Sequence, residues 1–137
     1  MKTMYEAVVT SHGGRNGHVR SSDGLIDFDV SMPKSLGGTG AATNPEQLFA
    51  AGYAACFENA VLHIARMKKI AVGATQVVAT VSLSAGPTGA FQLGAKLATK
   101  IDGVSRDQAQ MLVEEAHKIC PYSNATRGNI AVEISLA

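Results

Sequence analysis

The spacing of apolar and polar positions changes period several times along the chain, and each change predicts an element. Residues 4–12 are rich in β-forming side chains and predict a strand. Gly13-Gly14-Arg15-Asn16-Gly17 turns the chain, and 18–22 returns as the second arm of a hairpin. Ile26-Asp27-Phe28-Asp29-Val30 alternates apolar and polar, as a half-buried strand does. Residues 33–43, with Pro33, Gly37, Gly38 and Gly40, predict a loop. At Asn44 the period becomes helical. Asn44 suits an N-cap, Pro45 the first helical position, and Glu46 the positive end of the helix dipole. Apolar residues then recur at Leu48, Phe49, Ala51, Ala55, Phe57, Val61, Leu62, Ile64, Ala65 and Met67, up to Lys68-Lys69. Before Ala60 this helix is apolar on most sides, which predicts burial on several of them. Gly52 in its interior costs about 1 kcal/mol relative to Ala. A close approach by another element or ligand, or a kink, would account for it.

Residues 74–85 and 90–101 predict strands joined at Ala85-Gly86-Pro87-Thr88-Gly89. Ser105-Arg106-Asp107-Gln108 is a capping box opening a second helix, with Ala109, Leu112, Val113, Ala116 and Ile119 on one face. That helix should stop at Cys120, because the residue before Pro121 is pushed out of the α region. Residues 130–136 alternate as a last strand. The order β-β-β-α-β-β-α-β predicts an α+β fold, a largely antiparallel sheet wrapped around two helices. A length of 137 residues fits a single domain, 1–137.

Composition narrows the function. The formal net charge is +1, and no basic run exceeds Lys68-Lys69, so a nucleic-acid partner is not expected. No apolar run approaches about 18 residues, so no membrane span is expected. The N-terminus lacks the apolar core of a signal peptide, which makes a cytoplasmic location the expectation. His12, His18, His63 and His117 are too scattered for ligand spacing, so no metal is expected.

The two cysteines carry the candidate chemistry. In a reducing compartment a cysteine pair is more often catalytic than structural. Cys56 lies in the apolar run Phe49-Ala50-Ala51-Gly52-Tyr53-Ala54-Ala55-Cys56-Phe57. Apolar burial raises a thiol pKa, so a nucleophilic Cys56 needs a cation. Arg15 and Arg127 are candidates; Arg15 stays charged and offers a planar fork that Glu46 could hold in place. Glu46 and Cys56 stand ten residues apart, about 15 Å along a straight helix, so one arginine cannot readily touch both. Either the helix breaks near Gly52, or Arg15 and Glu46 reach the thiol from a second subunit of a homodimer, the option preferred here. Cys120, at a helix C-terminus, suits a resolving thiol on a polar loop, Ser123-Asn124-Ala125-Thr126. A pocket lined by Phe49, Tyr53, Phe57 and Tyr122 would favour organic hydroperoxides.

The segments Asn44-Pro45-Glu46-Gln47-Leu48-Phe49-Ala50-Ala51-Gly52-Tyr53-Ala54-Ala55-Cys56-Phe57 and Ala116-His117-Lys118-Ile119-Cys120-Pro121-Tyr122-Ser123-Asn124-Ala125-Thr126-Arg127-Gly128-Asn129 strongly resemble the organic hydroperoxide resistance proteins (Ohr). These share a superfamily with the osmotically inducible peroxidases (OsmC). Gly13-Gly14-Arg15-Asn16-Gly17 and Leu36-Gly37-Gly38 match as well. The resemblance spans essentially the whole chain. It implies Cys56 as peroxidatic cysteine, Cys120 as resolving cysteine, Arg15 as activating arginine and Glu46 as the carboxylate orienting it. It further implies an intertwined homodimer, reduction of organic and fatty-acid hydroperoxides, and recycling of a Cys56–Cys120 disulfide by dihydrolipoamide. The dihydrolipoamide would be carried on lipoylated proteins of the dihydrolipoamide dehydrogenase system. No bound cofactor is implied. Asn16 and Glu58-Asn59 depart from the pattern, and Glu58 is expected to point away from Cys56. Two alternatives stand beside this reading: a peroxidase of the osmotically inducible branch, and a fatty-acid binding protein with non-catalytic cysteines.

Overall fold

The computed structural model describes all 137 residues, which form two compact units, Met1–Leu48 and Phe49–Ala137. The first unit holds an antiparallel meander of β1 (Val9–His12), β2 (His18–Ser21) and β3 (Asp27–Asp29), in that order. The predicted strand over 4–12 is shortened at its start. β1 finds its partner in β2, whose last residue, Ser21, lies opposite Val9; beyond that pair the Ser22 amide still donates to the Val8 carbonyl at 2.9 Å, and the named strand ends there. Met4, Tyr5 and Val8 are left exposed.

The β1–β2 connection is a single turn of 3-10 helix, Gly14–Asn16. Gly17 closes it at φ −118°, ψ −136°, and a Cβ there would lie 1.7 Å from the His12 carbonyl oxygen. This close approach explains the glycine-rich sequence around Arg15. Asn16 Oδ1 accepts the Met32 amide at 3.0 Å, tying the turn to the following loop. That loop folds back on itself: the Ser31 amide donates to the Thr43 carbonyl at 2.8 Å. It thereby delivers Asn44, whose Oδ1 accepts the Gln47 amide at 2.9 Å as a helix N-cap.

Helix α1 (Pro45–Met67) opens in the first unit and continues through the second. The second unit adds β4 (Thr75–Ala85), β5 (Phe91–Ile101), α2 (Arg106–Ile119), α3 (Pro121–Thr126) and β6 (Val132–Leu136). β4 and β5 pair antiparallel over their full length, whereas β6 returns parallel to β5 after the helical crossover. The α+β class and the element order agree with the sequence. The single largely antiparallel sheet is replaced by two three-stranded sheets, one of them mixed. A parallel partner is what a crossover helix between adjacent strands produces. The Ser105 capping box at the start of α2 is fully formed.

Tyr53, Phe57, Ala60, Val61, Ile64 and Ala65 of α1 are buried in one core with Ala95 and Leu97 of β5 and Leu112, Val113 and Ala116 of α2. By length and composition alone α1 is long and apolar enough to cross a membrane, a test that a core helix also passes. The buried face of α1 is accounted for by this core.

Gly17→Ala should destabilise the protein by about 1–3 kcal/mol, because its clash is with backbone and no side chain can yield. A lowered urea midpoint at unchanged slope would show this; an unchanged midpoint would contradict the geometry.

Candidate active site

Cys56 sits on α1, partly buried, and Cys120 is fully buried in the core cluster at the junction of α2 and α3. Cys120 is extended (φ −60°, ψ 123°), ending one helix and preceding the next. Its amide donates to Ala116 O and its carbonyl accepts the Asn124 amide, each at 2.9 Å. The expected polar loop after Pro121 is therefore a short helix. Pro121 at N1 starts it, and Ser123 and Thr126 turn inward, where both are buried.

The two thiols are free, and Cys120 lies near enough to Cys56 to act on its charge. Burial, chiefly, raises the Cys56 thiol above its ordinary pKa, and Cys120 pushes the same way. The Tyr122 backbone amide opposes them by favouring negative charge on Cys56. Helix-end geometry thus aims one N–H at the sulfur where negative charge would develop.

Arg15 and Glu46 form a second pair, both within the first unit. Arg15 donates through Nη1 to Oε2 at 2.8 Å and through Nη2 to Oε1 at 2.7 Å, a two-pronged contact. The arginine side chain keeps 38% of its surface exposed against 15% for Glu46, so its outer face is open to a further partner. The hydrogen bond from Arg15 holds the Glu46 carboxyl below its ordinary pKa. Arg127 is structural instead: it donates to Asn124 Oδ1 at 2.8 Å and to the His117 carbonyl at the end of α2.

Of the expected pocket residues, three gather. Phe49 stands edge-on to Tyr53 and Tyr122 at 6.1 and 5.9 Å, and the two tyrosine rings are 5.6 Å apart. Phe57 lies in the hydrophobic core. Tyr122 explains Gly52, because a Cβ there would lie 2.5 Å from Tyr122 Oη and 3.0 Å from Cζ. A cleft of about 540 Å³ adjoins Phe49, bounded also by Pro87, Phe91, Leu93, Ala125 and Ile130. Glu58 accepts a hydrogen bond from Thr75 at 2.6 Å, which occupies its carboxylate at the start of β4. Sequence reasoning missed Ser123 and His117, which hydrogen-bond at 2.8 Å, and Thr126. The 123/126 spacing after a proline was the available signal for an inward-facing helix.

The profile of the family described as OsmC-like protein matches residues 38–135. A Bacillus subtilis protein named organic hydroperoxide resistance protein OhrB is 47% identical, over 97% of this chain and 98% of its own. This chain belongs to the organic hydroperoxide resistance branch of the OsmC-like family. Another such protein, from Xanthomonas axonopodis pv. citri, is 45% identical over 99% of this chain and 96% of its own. The crystal structure of a Legionella pneumophila organic hydroperoxide resistance protein superposes with a TM-score of 0.96 at 51% identity, covering 99% of both chains.

Two outcomes follow for this Ohr chain. In Gly52→Ala, the helix gains about 1 kcal/mol of propensity while the Tyr122 ring is forced off α1. Stability should change by less than about 1 kcal/mol, but the ring-current shifts that Tyr122 imposes on Phe49 should disappear from the NMR spectrum. A depressed Glu46 stabilises the fold above the ordinary carboxylate pKa of about 4.3 and loses that contribution as pH falls through its folded value. Glu46→Gln should therefore remove part of the acid-side fall in urea midpoint. The part is small, because the pair is partly exposed.

Proposed function

We propose that this protein is a cysteine-based peroxidase that reduces organic hydroperoxides, fatty-acid hydroperoxides among them, in the response to oxidative stress. The observation that carries the reading is the neighbouring pair of free thiols, Cys56 and Cys120, set in and at the edge of one core. The names of the relatives agree with it. The Cys56 thiolate attacks one peroxide oxygen and the O–O bond breaks. Sulfur loses two electrons and becomes a sulfenic acid, and the departing alkoxide takes a proton to leave as alcohol. The Cys120 sulfur then attacks the Cys56 sulfur. An S–S bond forms, the S–O bond breaks, and the hydroxyl leaves with the Cys120 proton as water. Dihydrolipoamide on a lipoylated protein reduces the disulfide to two thiols and is itself oxidised to the cyclic disulfide.

A thiol raised by burial is a poor nucleophile until a cation faces it. Arg15, held by Glu46 with its outer side open, is the group to supply that charge, and in a homodimer one protomer lends it to the other. The exposed Met4, Tyr5, Val8 and Leu25 offer apolar surface for such an assembly. The cleft beside Phe49 is sized for the apolar body of a hydroperoxide. Two thiols kept free for turnover suit a cytoplasmic location.

The test is consumption of cumene hydroperoxide by purified protein with dihydrolipoamide or thioredoxin as separate reductants. Turnover is expected with dihydrolipoamide alone. Cys56→Ser should abolish it, and Cys120→Ser should permit oxidation without efficient recycling. Arg15→Ala should slow oxidation about a hundredfold, the scale of removing one donor from a reacting charge. If both cysteine variants turned over normally, the proposal would be wrong. Lipid binding indifferent to Cys56→Ala, with no peroxide consumed, would favour a binding protein instead.

A further inference from the structure

A chain of side-chain hydrogen bonds runs inside the second unit from α2 through α3 to α1. His117 Nδ1 lies 2.8 Å from Ser123 Oγ, which lies 2.9 Å from Tyr53 Oη. Tyr53 Oη lies 3.3 Å from Thr126 Oγ1, which donates to the Ser123 carbonyl at 3.2 Å. Tyr53, Ser123 and Thr126 are all buried.

The proton arrangement is fixed by counting. A carbonyl only accepts, so the single proton of Thr126 goes to Ser123 O. Thr126 Oγ1 must then accept from Tyr53, Tyr53 from Ser123, and Ser123 from a protonated Nδ1 of His117. Each hydroxyl donates once, and the bonds run in one direction, which strengthens each of them. Burial, mainly, and then the nearby charge of Arg127 lower the His117 pKa, in keeping with a neutral ring that carries its one proton on Nδ1.

The placement of this chain gives it a role. Cys120 lies midway between His117 and Ser123, three residues from each, and Tyr53 precedes Cys56 by three residues, one turn of α1. The bonds therefore join the helix carrying one thiol to both flanks of the junction carrying the other. A disulfide requires Cα atoms within about 7 Å and a narrow range of torsion, and holding two reacting groups in place is a large part of what makes such a step fast.

We propose that Tyr53, Ser123 and His117 form a clasp that positions the Cys120 thiol to condense with the Cys56 sulfenic acid. They are positioning residues for the second step. This rests on the peroxidase reading; the step is the one balanced above, in which S–S forms, S–O breaks and water leaves.

Reduced protein would be mixed with stoichiometric cumene hydroperoxide. Sulfenic acid would be followed by dimedone trapping and mass spectrometry, and disulfide by loss of free thiol. Ser123→Ala should form sulfenic acid at the wild-type rate but close the disulfide about tenfold more slowly, the equivalent of one buried hydrogen bond left unmade. Tyr53→Phe, which keeps the ring and its packing, should slow closure similarly, and the double variant should be no slower than either single one. His117→Leu should slow closure, whereas His117→Asn, with an N–H near the Nδ1 position, should restore it. Nitrogen NMR of wild-type protein should show His117 protonated at Nδ1. Closure at the wild-type rate in Ser123→Ala and Tyr53→Phe would overturn the clasp alone. So would a His117→Asn variant as slow as His117→Leu. Wild-type protein that never forms a Cys56–Cys120 disulfide would overturn the peroxidase reading and the clasp with it.

Discussion

Burial of one stripe of α1 is the constraint on which the second unit depends. Tyr53, Phe57, Val61 and Ile64 recur at helical spacing and enter a single core with Leu97 of β5 and Leu112, Val113 and Ala116 of α2. Each such side chain contributes about 1.5–3 kcal/mol on leaving water. Cys120 is a member of the same core and Cys56 packs at its edge. The two thiols meet because apolar surface drives α1 against α2, and the extended residue between α2 and α3 then turns Cys120 toward α1.

That location has an electrostatic cost. The medium that brings the sulfurs together also disfavours charge on Cys56, and burial is the largest influence raising its pKa. Part of the opposition is local, from the Tyr122 amide. On the proposed reading the stronger remedy is a permanent cation, Arg15, whose two-pronged contact with Glu46 orients the guanidinium without enclosing it. The first unit can be understood as scaffolding for that cation. The tight glycine turn sets the arginine, Asn16 anchors the turn, and the folded-back loop brings Glu46 to the start of a helix.

Much of this was legible in the sequence. Asn44-Pro45-Glu46 announced α1, Ser105 and Gln108 announced α2, and Pro121 placed the α2 boundary at Cys120, because each signal acts within one turn of chain. What escaped were features that depend on distant partners. The strand over 4–12 lost its first half because the pairing with β2 ends at Val9. β6 pairs parallel because the helical crossover decides its direction, which alternation cannot show. Polar Ser123 and Thr126 looked like surface loop, yet they are buried because Tyr53 and His117 satisfy them. Gly52 was flagged for a close approach, and only the fold showed that the approaching group is the Tyr122 ring.

The unequal burial of the two cysteines has a consequence for how electrons return to the protein. Cys56 is partly accessible and Cys120 is not. On the proposed reading, an incoming dithiol would reach only the Cys56 sulfur of a Cys56–Cys120 bridge, so the mixed disulfide would form at Cys56 with Cys120 as the leaving group. Reduction and oxidation would then share a single doorway, and the burial of Cys120 would shield the inner sulfur from small oxidants that carry a thiol past the reversible stage.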